Sequence, residues 1–386
     1  MVLPGALLHT DYSAKVREIF TNHFEEVCIY LLQERIFDNT EEESVIVCAS
    51  GAGKPHKTIR VGTVSTVGDL QDALHHFELR TQVLESKDGD GGWLRALVDH
   101  NALGFYDEFS DSPNVIRLGN WVTPRIGVVT GNNRFFILSE GSREQKEIPE
   151  EYFVSIIKRP AYLTGISVKN RDFRWLDNKG KEYLLLSPPE SLSEMPKPLR
   201  NYIEQGINDE VHLAVKCQAR EPWYVVPQTY APDAFMPCMS ASWPRLIVNR
   251  SSYTCTNNII RLSWKSKRPA RDWLKLALGS LSTLTQLSAE LVGRSYGGGV
   301  LKVEPTELTH LAIPLLPDEL VDSLVPKVDQ FLRENNTSAA TDVVDKALIN
   351  ANVGISSIRL QQLRHTRNKL FLRRRQHRRD ATKIVK

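Results

Sequence analysis

Val27-Cys28-Ile29-Tyr30-Leu31-Leu32 is an unbroken apolar run, and Ser44-Val45-Ile46-Val47-Cys48-Ala49 is a second. Runs this short, without polar alternation, read as buried strands. Ahead of the first run, Tyr12 to Phe24 sets Val16, Ile19, Phe20 and Phe24 at helical spacing, and Ser50-Gly51-Ala52-Gly53 closes the second. A helix between apolar strands belongs to an α/β sheet. These few elements are too few for a complete doubly wound domain and read as its last third.

Beyond them, Thr63 to Leu97 holds polar and amphipathic pieces and a loop at Lys87-Asp88-Gly89-Asp90-Gly91-Gly92, which places a boundary between residues 90 and 115. A strand-rich region follows, with candidate strands at Arg125–Gly131, Arg134–Leu138, Tyr183–Leu186 and Pro244–Val248. Trp273 to Leu291 reads as helix, with Leu276, Leu278, Leu281, Leu284, Leu287 and Leu291 on its apolar side, and Gly297-Gly298-Gly299 ends it. Helical patterns near 318–334, 339–350 and 356–378 complete the chain, and no internal repeat is visible. The expected organisation is an α/β portion over 1–110, a mixed α+β domain over 111–317 and a helical, basic region over 318–386.

Across its 386 residues the chain is 41% hydrophobic and 25% charged, ordinary values for a globular protein. No apolar run reaches membrane-spanning length, and Met1 to Leu8 lacks the basic flank of a signal peptide, so a cytoplasmic protein is expected. Cys28, Cys48, Cys217, Cys238 and Cys255 are scattered without metal-ligand spacing, which predicts reduced thiols and no metal site. A net charge of +3 says little about partners, but its distribution says more. From Arg364 to Lys386 many basic residues, among them Arg373, Arg374 and Arg375, face one acid, Asp380. Such a segment attracts phosphates through counterion release, or is a solvated tail or the partner of an acidic neighbour.

Several constellations carry chemistry, each with a plainer reading beside it. Arg220-Glu221-Pro222-Trp223-Tyr224, Pro244-Arg245-Leu246-Ile247-Val248-Asn249 and Thr256-Asn257-Asn258 combine guanidinium, amide and aromatic groups. Arginine reads guanine edges and phosphates, asparagine reads adenine edges, and rings stack on exposed bases. The plainer reading is packed aromatics with internal hydrogen bonds. Arg294-Ser295-Tyr296-Gly297-Gly298-Gly299-Val300-Leu301-Lys302 reads as a phosphate-gripping loop or simply as a helix stop. Because it follows a helix rather than opening one, it is no Walker or dinucleotide loop. Phe37, before the second strand, is placed to stack on an extruded base or to fill a core. There is no Phe-x-Gly-x-Gly loop and no Asn/Asp-Pro-Pro-aromatic tetrapeptide; the one Pro-Pro lies in Ser187-Pro188-Pro189-Glu190. No Ser/His/Asp or Cys/His grouping stands out and no nuclease carboxylate–lysine cluster is apparent, although Glu210 and Lys216 are too generic to exclude one.

In this order, the pieces resemble the C-terminal portion of the gamma-class adenine-N6 DNA methyltransferases of restriction-modification systems. Val2-Leu3-Pro4-Gly5 and the helix to Phe24 resemble the segment downstream of the catalytic tetrapeptide. Arg35-Ile36-Phe37 and the Val45 strand resemble the late motif whose aromatic stacks on the flipped adenine. Gly127-Val128-Val129-Thr130-Gly131-Asn132 with Phe135-Phe136 resembles the entry to the target-recognition domain, and Arg220 to Tyr224, Pro244 to Asn249 and Gly297 to Pro314 resemble its later signposts. The resemblance implies a partial Rossmann-like methyltransferase sheet followed by that domain and the helical end. It also implies flipped-base stacking by Phe37 and DNA contact by Asn132, Arg220, Trp223, Tyr224, Arg245, Asn249, Asn257, Arg294, Tyr296, Lys302, Arg373, Arg374 and Arg375.

The family's S-adenosylmethionine loop and Asn-Pro-Pro-Tyr/Phe motif have no counterpart among these residues. The implied function is therefore the DNA-recognition subunit of a split methyltransferase, inactive alone. Double-stranded DNA and a catalytic subunit would be its partners, and S-adenosylmethionine would be bound by that subunit. The alternative is a non-enzymatic DNA-binding specificity protein guiding a nuclease or translocase; a stand-alone nuclease is a third and weaker reading.

Overall fold

A computed structural model describes residues 1–8, 13–32, 44–53, 58–75, 82–85, 92–227, 229–296 and 299–376. The two apolar runs are neighbouring antiparallel strands, Phe24–Leu32 and Ser44–Ala52, with Ile29 opposite Val47 and Leu31 opposite Val45. Their lack of alternation has the expected cause. Val27, Ile29, Leu31, Val45 and Val47 enter one core, while Cys28, Tyr30 and Leu32 enter a second on the other face.

Three further strands complete this sheet: Val2–Pro4, Thr58–Val64 and Gln82–Glu85. Its only described parallel pair joins Phe24–Leu32 to Thr58–Val64. The Thr58–Val64 strand escapes a search for apolar runs because Ile59 and Val61 alternate with Arg60 and Gly62. The helix Ala14–His23 lies in the chain between the strands Val2–Pro4 and Phe24–Leu32; it buries Phe20 but leaves Val16 and Ile19 exposed.

A new core begins at Val98 and gathers residues from as far as Leu370. The helix His100–Ser110, capped by Asp99, packs in it beside the C-terminal helix Ser357–Gln376. At its centre lies a five-stranded sheet in the order Ser167–Lys169, Ile247–Arg250, Ala234–Pro237, Ile259–Trp264, Val122–Ile126. Ala234, Met236, Ile260 and Leu262 face the large core, whereas Phe235, Ile247 and Ile259 face a smaller one.

A four-stranded sheet (Thr254–Cys255, Phe153–Ile157, Leu184–Leu186, Ile137–Leu138) and the helix Lys197–Asn208 build a satellite body with a core of its own. Within it the sequence differs from expectation at Arg134–Leu138, where a short helix, Asn133–Phe136, precedes the strand. Asn132 induces that turn by accepting a hydrogen bond from the Phe135 amide.

The leucine-rich stretch divides into two helices, Ala270–Gly279 and Thr283–Val292. A Cβ on Gly279 would sit 2.2 Å from the Pro314 carbonyl oxygen, so the first helix ends against another chain segment. Ser282 restarts the helix by capping the Thr285 amide. Asp318–Arg333, Thr337–Asn350 and Ser357–Gln376 are the three expected C-terminal helices.

Candidate nucleic-acid interface

The groups singled out by sequence fall into two kinds: those turned inward and those at the surface. Arg220 donates to the Val129 and Thr130 carbonyls at 2.7 and 2.8 Å, and burial lowers its pKa. Trp223 packs among Phe135, Phe136 and Tyr224 with ring centroids 5.5, 6.1 and 5.8 Å apart. Tyr224 is buried and its hydroxyl donates to the Glu190 carbonyl. Together with the capping Asn132, these residues knit the satellite body.

Arg245 donates to the Leu163 and Gly165 carbonyls at 2.7 and 2.5 Å, and burial lowers its pKa to about 10. Asn249 donates to the Pro232 and Tyr253 carbonyls while accepting from Ser251. Both tie strand ends to neighbouring turns.

The surface group is organised by a three-stranded sheet, Met239–Ser240, Val300–Lys302 and Arg294–Tyr296. Met239 lies opposite Lys302 and Lys302 opposite Arg294, so the three side chains share one face. Lys302 pairs with Glu304 at 2.8 Å, which raises its pKa, and its ammonium lies 5.6 Å from the centre of the Tyr296 ring. Arg294 pairs with Glu307 at 2.5 Å, and burial raises the pKa of that carboxyl. Two cations faced by two carboxylates leave little net charge, so this row suits contact with polar edges better than attraction of phosphate.

Beside the row lies the exposed turn Asn257–Asn258, joined to it through the bond from the Cys238 amide to the Asn258 carbonyl. The Asn257 amide donates to Val128, which leaves its side chain outward as a donor–acceptor pair. Met239 and Ile126 are also exposed here, and sequence reasoning passed over both. It passed over Tyr230 as well, an exposed ring 4.9 Å from the buried Arg261 guanidinium. Arg261 lies opposite the exposed Arg125. The only signal for that pair was an arginine at the same register position in each strand.

The basic helix is not one uniform surface. Arg374 is buried against Glu290, Arg373 is half-buried, and Arg375 is exposed with its guanidinium 5.2 Å from the Phe371 ring. Phe37, together with Gly297 and Gly298, lies outside the described residues.

Among the described residues, each buried carboxylate has a partner. Asp272 pairs with Arg268, Glu290 with Arg374, Glu307 with Arg294, and Asp345 with Thr283 and Arg364. Among the described residues, no cluster of three or more His, Cys, Asp or Glu could hold a metal, and no helix is long and apolar enough to cross a membrane.

Comparison with known proteins now gives this geometry a setting. Residues 90–349 match the family described as Type II methyltransferase M.Eco57I, C-terminal domain. The Type II methyltransferase M.AccI of Acinetobacter calcoaceticus is 20% identical over 90% of this chain and 66% of its own length. Among solved structures, the type IIL restriction-modification enzyme MmeI, in complex with DNA, aligns with 96% of this chain and 49% of that one at 9% identity and a TM-score of 0.51. The type IIG restriction endonuclease BpuSI aligns with 99% of this chain and 47% of that one at 14% identity and a TM-score of 0.42. The chain thus spans 66% of one relative and about half of each solved structure. The MmeI likeness bears on the fold alone.

Proposed function

Because the chain belongs to the Type II methyltransferase M.Eco57I C-terminal domain family, we propose that it is the DNA-recognition part of an adenine-N6 DNA methyltransferase in a restriction-modification system. The family match carries this reading. The exposed amides of Asn257 and Asn258 beside the Met239–Lys302–Arg294 row support it, since they offer donors and acceptors to base edges. MmeI, whose fold this chain shares, was solved bound to DNA.

In this reading the chain works in the cytoplasm and binds double-stranded DNA. Phe37 stacks on the flipped adenine, and a partner subunit supplies the S-adenosylmethionine loop and the Asn-Pro-Pro-Tyr/Phe motif. Differential transition-state binding then divides between two chains: one aligns the base, the other the methyl donor. The division is tested by mixing the purified chain with DNA and radiolabelled S-adenosylmethionine, with and without a catalytic subunit. Methyl transfer is expected only when both are present; substantial transfer by this chain alone rules the split out. A chain that binds DNA and directs cutting, but never supports methylation, would instead be a specificity protein for a nuclease or translocase.

Phe37→Ala separates the role of that ring from scaffolding. Methylation by the assembled enzyme should fall by about tenfold or more, while DNA affinity changes by less than about threefold, as loss of one base-stacking contact predicts. Equal losses in both would make Phe37 a packing residue.

A further inference from the structure

The strands Met239–Ser240 and Val300–Lys302 pair antiparallel, and one buried side chain bonds residues flanking both. Arg374, 1% exposed, sits on Glu290 through its Nε, at 3.0 and 3.1 Å from the two carboxylate oxygens. Its remaining nitrogens donate to backbone carbonyls of both strands' flanks: Nη2 to Ser242 at 2.5 Å, and Nη1 to Gly299 and, at 3.4 Å, to Ala241. The neighbours complete the seat. Trp243 donates its indole N–H to Glu290 at 2.8 Å, and its ring lies 4.9 Å from Phe371 and 4.5 Å from the Arg367 guanidinium. Gly299 has φ +75, and a Cβ there would approach the Arg374 carbonyl oxygen to 2.8 Å and Arg375 Cα to 3.0 Å. The glycine therefore serves close approach to the C-terminal helix, and in that conformation its carbonyl meets this guanidinium.

We propose that Arg374 is a positioning residue for DNA recognition: its guanidinium, seated on Glu290, clasps the flanks of both strands and so fixes the row Met239–Lys302–Arg294 and the Tyr296 ring. The inference rests on the reading of this chain as a DNA-recognition part. It gives the C-terminal helix a role that differs from phosphate attraction. A guanidinium buried on a carboxylate and three carbonyls is turned away from DNA, yet it decides where the contacting side chains stand. Planar donors in a fixed fork suit this task, whereas a lysine ammonium could hold Glu290 but could not span the three carbonyls.

The test uses the full chain assembled with its catalytic subunit. Arg374→Met alone would strand a buried carboxylate, so the working variant is Arg374→Met with Glu290→Gln, which removes both charges and keeps an acceptor for Trp243. Arg374→Lys, which retains the ion pair, serves as a second variant in case the first does not fold. Amide exchange is followed over residues 239–243 and 299–302. Sequence preference is read by sequencing duplexes captured from a pool with a randomised centre, and bulk affinity by binding to random-sequence duplex DNA.

The expected result is at least about tenfold faster exchange in those two segments, about tenfold weaker enrichment of the preferred sequence, and bulk affinity within about twofold of wild type. Unchanged exchange overturns the clasp. Faster exchange with undiminished enrichment overturns its role in recognition, and a parallel loss of bulk affinity makes Arg374 a phosphate contact or a general stabiliser instead. If the wild-type chain itself enriches no sequence, the DNA-recognition reading fails and the positioning role fails with it, while the exchange measurement still decides whether the clasp exists.

Discussion

Arg245 and Asn257 show how alike an inward structural side chain and an exposed one proposed to read DNA are when only their identity is known. A guanidinium binds a carbonyl by the same hydrogen bonds that bind a phosphate or a guanine, so sequence can name the capacity but not the recipient. In the fold, Arg245 gives its donors to Leu163 and Gly165. Replacing it by methionine leaves those carbonyls unpaired and should cost about 2–4 kcal/mol in urea denaturation. The salt slope of DNA binding should not change; a slope reduced by about one would place Arg245 on a phosphate after all. Asn257 is the reverse case, with its side chain at the surface of a turn held by backbone bonds. Asn257→Ala should leave stability within about 0.5 kcal/mol. It should relax the sequence preference at one base pair by about 1–3 kcal/mol. An unaltered preference removes Asn257 from the interface. Arg220, Trp223 and Tyr224 follow Arg245, for the motif that drew attention to them is a packing motif of the satellite body. What distinguished the exposed groups from the inward ones was the turn geometry around them, which no residue type announces.

At the level of elements, the N-terminal strands and C-terminal helices were legible because burial imposes a pattern that survives without coordinates. The run at Val27–Leu32 is apolar throughout because it is buried on both faces, and Leu276 to Leu291 keep one side apolar because that side faces a core. The failures have physical causes too. Thr58–Val64 hides behind Arg60 and Gly62, and the break between Gly279 and Ser282 reflects the approach of Pro314 rather than a local breaker. Least legible is the helix Thr283–Val292, whose Thr283, Thr285, Gln286, Ser288 and Glu290 are buried although their composition suggests a wet face. Each finds an internal partner. Thr285 bonds the Gly279 and Ala312 carbonyls, Gln286 bonds Leu281, Thr341 and Arg367, and Ser288 meets Tyr106 and the Ala312 amide. Asp345 fixes its start, accepting from the Thr283 amide at 2.9 Å and hydroxyl at 2.6 Å and from Arg364 at 2.9 Å. Asp345→Ala should therefore lower stability by about 2–4 kcal/mol, because it orphans a buried helix-start amide, although Arg364 keeps its ion pair with Asp342. A urea midpoint close to that of wild type would mean that water replaces the carboxylate at no cost.

For the whole molecule, the decisive feature is that, among the described residues, the N-terminal and C-terminal regions share no core. Leu7, Leu8, Phe20 and the strand residues close on Trp93 and Leu94, whereas Val98 and everything after it pack into other clusters. The matched family begins at residue 90, near this change of core. The sequence placed a boundary between 90 and 115, and the helix His100–Ser110 now stands on the C-terminal side of the change because Phe105 and Phe109 face the large core. Across the junction Arg95 pairs with Asp107, an ion pair with part of its surface in water, and such a pair couples the two sides weakly. Cores that share no residues should melt as separate cooperative units. Of the seven tryptophans, Trp93 alone lies in the N-terminal core. The difference in emission between the wild-type chain and Trp93→Phe therefore reports that core, and far-ultraviolet circular dichroism reports both. We expect the difference signal to change at a denaturant concentration distinct from the main transition, and calorimetry to resolve two peaks. Coincident midpoints with a single calorimetric peak would make the N-terminal sheet and the recognition region one cooperative body. In that case a shift in one would be felt in the other, and the proposed base positioning by the sheet could not be varied independently of the proposed sequence reading.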